Sequence, residues 1–229
     1  MTVLVLTRAG YTCAVGKQFN LSAIEDALRA FQAAFPSINE HLLVKREDVT
    51  DTMVERILEA YAFLNELLMK DMDLFTPAGL HSLLEMNHIV LCGADAGKRM
   101  EYYHHLQATR SRFMKRIRPI REWVLEHRDS ANPRKLAAGF YSRNLSQPQL
   151  FIEGNHRTGN ILFNYLMVSR GGAPYIVTPE TALLYLNISG DIKFTDKGKT
   201  LENGLRMPGH RKRFMAMLAE HTDSRFLAA

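Results

Sequence analysis

A chain of 229 residues with 46% apolar content can bury one sizeable core, or one domain with a small appendage, but not a string of domains. Its net charge of +5 favours phosphate-bearing partners without demanding one. Its two cysteines, Cys13 and Cys92, lack CxxC partners, which argues against a disulfide framework or zinc site and for a reducing, cytoplasmic setting.

The opening "MTVLVLTRAG" has a short apolar run and no basic leader, so it makes a poor signal peptide. Val3 to Leu6 reads as a short strand. No apolar run reaches membrane-spanning length, and no membrane partner is expected. Leu21 to Phe35 has helical spacing, with Pro36 as its stop. Arg46 to Met72 reads as a long amphipathic helix, its apolar positions Val49, Met53, Ile57, Tyr61, Leu64 and Leu68 recurring at three and four. Thr76 followed by Pro77 marks the start of another helix.

Cys92 to Phe113 shows no clean helical period and reads as an irregular loop with a short β-hairpin. Helix resumes over Phe113 to Arg128, with Pro119 as a possible division. It returns over Ala131 to Gln147, capped by Asn132 ahead of Pro133. Thr178 to Ser189 is a capped helix, and Pro208 to Glu220 is the last. The expected class is mostly α. The basic runs Arg110 to Arg121 and Gly209 to Phe214 lack a helix-turn-helix signature and read as solvated faces, so nucleic acid is not the expected partner.

Between the Ala131 and Thr178 helices lies "LFIEGNHRTGNILFNYLMVSRGGAP", Leu150 to Pro174. Its first residues crowd an acid, two glycines, an amide and an arginine at the mouth of a helix. Helix N-termini present free N–H groups and partial positive charge, which suits an anion. Gly154 and Gly159 allow close backbone approach. Asn155 can donate to a phosphate oxygen, and Arg157 can grip one in a forked geometry. Glu153 offers a hard oxygen to Mg²⁺. Taken alone, such an entry is more often a capped turn than a site.

The segment Gln149 to Asn160 resembles the Fic family signature H-P-F-x-[DE]-G-N-G-R-x-x-R, matching at Phe151, Glu153, Gly154, Asn155 and Arg157. The resemblance implies a Fic-like helical bundle with a short β-hairpin flap. Its core would run over residues 76–189 of a 76–229 domain, with residues 1–75 as a helical region packed on it. It further implies a transferase that moves AMP, or a related phosphate-containing group, from ATP or another nucleotide with Mg²⁺ to a hydroxyl of a target protein. Glu153 would hold the metal, and Gly154, Asn155, His156, Arg157, Gly159 and Asn160 would hold the nucleotide. Tyr102 and Tyr103 would line the flap that aligns the target.

Three positions depart from the signature. Gln149 stands where the family has its basic histidine, a loss worth about 10²–10⁴-fold in rate. Asn160 replaces the second arginine, and His156 replaces a glycine. His156 either substitutes for the missing base or contacts phosphate; Gln149 either orients a hydroxyl or only fixes the loop. The expected function is therefore such a transferase with altered or impaired chemistry. The alternative is a non-catalytic nucleotide-binding or protein-interaction module of the same fold.

Overall fold

The computed structural model describes residues 18–130 and 132–228. The strand expected at Val3 to Leu6 lies outside them. Nine α-helices account for most of the described chain: α1 (Leu21–His41), α2 (Asp51–Met69), α3 (Gly79–Cys92), α4 (Ala96–Glu101), α5 (Tyr103–Glu126), α6 (Pro133–Leu145), α7 (Asn155–Val168), α8 (Pro179–Phe194) and α9 (Thr200–His221). Among the described residues there is no sheet, only two isolated bridges. One joins Phe19 to Leu227 and draws the two ends of the described chain together. The mostly α class expected from the sequence is what the structure shows.

The β-hairpin flap is not there. Residues 96–126 form α4 and α5, with Tyr102 at the junction. The buried stripe Leu106, Thr109, Phe113, Ile117, Ile120 and Val124 holds α5 against the body, and Thr109 hides its period because a polar residue fills a core position. Pro119 lies inside α5 and divides nothing. Pro36 likewise lies inside α1, which continues to His41. An internal proline forfeits a backbone bond, but Phe31, Phe35 and the following Leu42 are buried along this edge and keep the helix on course.

The second helix begins later than expected, at Asp51, where Thr50 accepts a capping bond from Met53 N–H at 3.2 Å. Residues 42–50 thus become an extended cover instead of a helical turn. The helix expected from Pro208 starts earlier, at Thr200.

α7 is the central helix. Asn155, Thr158, Gly159 and every residue from Ile161 to Val168 are buried on it. It packs closely on α6, with α2 and α3 on other sides. Tyr141 of α6 stacks on Phe214 of α9, with centroids 4.6 Å apart, and meets Phe163 of α7 edge-on. This aromatic block fixes the α6–α7–α9 packing, so the first turn of α7 is held rigidly from below.

Candidate ligand pocket

The loop from Ser146 to Gly154 carries the chain from α6 into α7. Gly154 is the N-cap of α7 and takes the left-handed conformation, φ 73°. A Cβ there would meet Asn87 Nδ2 at 3.0 Å as well as carrying backbone strain, so glycine is required for folding. Asn155, 5% exposed, staples the loop to itself. Its Oδ1 accepts from Phe151 N–H at 2.9 Å and its Nδ2 donates to the Phe151 carbonyl at 3.1 Å. Arg112 and Arg116 of α5 donate to the carbonyls of Phe151 and Gln149, at 3.4 and 2.5 Å. Part of the basic run on α5 is therefore an internal clamp on this loop.

Above the α7 entry lies a cavity of about 460 Å³, bounded by α1, α2, the 42–50 cover, the first turn of α7 and the far half of α8. That is within the usual range for small-molecule sites. Its polar end holds Arg46, His156, Arg157 and Lys193, with Glu47 and Glu153 at the rim. Arg46 is placed by Asn39, whose side chain both accepts from the Arg46 N–H and donates to the Arg46 carbonyl, each at 2.9 Å. From that fixed backbone the guanidinium reaches Leu186 O at 2.9 Å and His156 Nε2 at 3.2 Å. Its Nε is buried without a partner.

Arginine only donates, so His156 Nε2 accepts and its proton sits on Nδ1, which faces the Tyr141 hydroxyl at 3.5 Å. Burial is the main reason the His156 pKa falls well below its ordinary value, and the charges of Arg46, Lys193 and Arg157 push the same way. Lys193 is also pushed down, by burial and then by Arg46. The strongest electrostatic influences on both groups are thus positive. Concentrating like charge in a partly desolvated place is unfavourable without an anion to compensate it.

Arg157 is three-quarters buried and divides its contacts: it donates to Val90 O at the end of α3 at 3.3 Å, and its Nη2 lies 3.8 Å from Glu153. Glu153 also has His105 at 3.8 Å and remains mostly solvent-facing. Among the described residues no cluster of three or more His, Cys, Asp or Glu is placed to hold a metal ion. Magnesium at Glu153 would need oxygens supplied by a ligand.

Of the expected site residues, Glu153, Gly154, Asn155, His156, Arg157 and Asn160 line this cavity. Gln149, Gly159, Tyr102 and Tyr103 are not among the lining residues. Gly159 instead faces α6, where a Cβ would come within 2.5 Å of Asn144 Nδ2. Tyr102 and Tyr103 stand exposed at the α4–α5 junction. Asn160 accepts from Tyr61 and Asn164, at 3.2 and 3.3 Å, and so joins a buried polar network. Arg46 and Lys193 were missed by the sequence reading. Arg46 reads as helical there, and its link to His156 spans 110 positions.

A family model described as Type VI secretion system, TssF, matches residues 18–88. That segment covers α1, α2, the 42–50 cover and most of α3. No Fic family model matches, and no curated protein or solved structure matches the chain. The Fic resemblance is thereby corrected, and with it the AMP transferase, its AMPylation chemistry and the module of that fold offered as its alternative. The physical reason lies in the matching residues. Gly154 is demanded by a left-handed cap, Asn155 by the loop staple, and Arg157 in part by the α3 carbonyl. A helix entry of this shape needs these residue types whatever chemistry stands above it. None of the described helices is long and apolar enough to cross a membrane.

Proposed function

We infer that this protein is an anion-binding component of a protein assembly of the type VI secretion kind, working in the cytoplasm with protein partners. The TssF match supports the assembly part. The observation that carries the binding part is the convergence of Arg46, His156, Arg157 and Lys193 on one cavity, one wall of which is built by the matched segment. The magnesium nucleotide expected from the sequence belongs to the same ligand class and enters as one candidate.

Titration calorimetry with inorganic phosphate, ATP, ATP with Mg²⁺ and a simple carboxylate tests the binding. At least one anion should bind, and Arg46→Ala should weaken it about tenfold to a hundredfold, the worth of a charge-assisted hydrogen bond. Binding that ignores Arg46→Ala places the ligand elsewhere. For the assembly, the tagged chain expressed in a cell carrying a type VI secretion system should co-purify with components of that system; their absence from the purified material overturns this part.

A further inference from the structure

The cationic end is only part of the cavity. Phe31 and Phe35 of α1, Met53 and Ile57 of α2, and Val177 and Leu186 around the start and middle of α8 form a continuous apolar wall beside it. Phe35 is 2% exposed, and Phe31, Val177 and Leu186 are each below 10%, so the wall is part of the core. Water against such a wall finds few polar partners. A compact, fully polar anion would meet Arg46 and leave this surface unmatched.

We propose that the ligand is an amphipathic anion: a carboxylate or phosphate head held by Arg46 and Lys193, with an unbranched alkyl tail laid along the α1–α2 wall. This rests on the anion-binding reading above and names the chemistry of the same site. Three observations carry it. The Arg46 backbone is fixed in advance by Asn39. Its Nε is a buried donor with no partner. The lining that α1 and α2 contribute, Leu28, Phe31, Phe35, Met53 and Ile57 with Tyr61, is apolar but for one hydroxyl. Met53 and Ile57 lie four apart on α2, on the same face, and give that wall a depth of at least one helical turn.

The test is a chain-length series on the intact protein: butanoate, hexanoate, octanoate and decanoate, with octyl phosphate, inorganic phosphate and decanol as controls. Affinity should rise about fourfold per methylene until the cavity is full. Decanol, lacking the head charge, should bind at least tenfold more weakly than decanoate, and Arg46→Ala should shrink that difference. Met53→Trp, which fills the wall from a partly exposed position, should flatten the rise in affinity from hexanoate to decanoate.

Equal affinity for butanoate and decanoate would overturn the tail while leaving the anion site intact. Equal affinity for decanol and decanoate would overturn the head. Tighter binding of inorganic phosphate than of octyl phosphate would overturn the tail as well. No binding by any of the seven compounds would overturn the proposal, and if ATP with and without Mg²⁺ also failed to bind, the reading on which it rests would go too.

Discussion

Gly159 sits on the face of α7 that meets α6, and its missing side chain sets how closely the two helices approach. An added Cβ would lie 2.5 Å from Asn144 Nδ2 and 3.0 Å from the Tyr141 ring, both in the core. Gly159→Ala should therefore destabilise the protein by about 1–3 kcal/mol, the usual cost of overpacking, despite alanine's better helix propensity. Urea unfolding would measure it. A stabilised variant would mean that α6 and α7 can move apart freely, and the rigid support under the α7 entry would go with that. The same residue shows what the sequence hid. A glycine near a helix mouth suggests close approach to a ligand, and here the close approach is to another helix.

The 42–50 cover is the element on which the pocket depends, and Asn39 at the end of α1 fixes the backbone of its Arg46. Asn39→Ala removes both bonds to the Arg46 backbone, each worth about 1 kcal/mol. The loss is confined to the cover and the end of α1, so global stability should fall by no more than about 2 kcal/mol. Anion affinity should drop about tenfold as Arg46 loses its fixed starting point. Calorimetry beside a thermal melt separates the two, and unchanged affinity would show that the cover is held by other contacts. This cover was not legible in the sequence. Arg46 to Thr50 continues the apolar period of α2 through Val49, and only the Thr50 cap shows where the helix begins. Helices α1 and α2 were legible because they repeat apolar residues at three and four, and α8 because Thr178 ahead of Pro179 marks its start. The α4–α5 segment was not, because Tyr102 to His105 mixes rings and polar groups before the buried stripe starts at Leu106. Half of the pocket was legible for a similar reason: the α7 entry is contiguous. Arg46 and Lys193 come from distant elements and meet it only in the fold.

At the scale of the molecule, the pocket is a place where folding holds positive charge together, and pH should reveal it. His156 is faced by Arg46 from the cover, Lys193 from α8, Arg157 from its own helix and the Tyr141 hydroxyl from α6. Its folded pKa lies well below the ordinary 6.5, burial being the main cause. As pH falls through about 6.5, the unfolded chain takes up a proton that the folded chain refuses, so stability is full above this range and declines below it. The decline cannot exceed about 1.4 kcal/mol per pH unit for this one group. His88 and His210 are also pushed down, mainly by burial, and act in the same direction. The His156 share is therefore the part of the acid slope that disappears in His156→Gln. An anion seated against Arg46 supplies the missing negative charge, raises the His156 pKa and makes its protonation easier. Binding should then take up protons and tighten as pH falls, opposite in sign to the stability trend. Calorimetry in two buffers of different ionisation enthalpy reads that uptake directly. If binding releases protons, or its pH dependence survives unchanged in His156→Gln, the head group does not sit beside this imidazole.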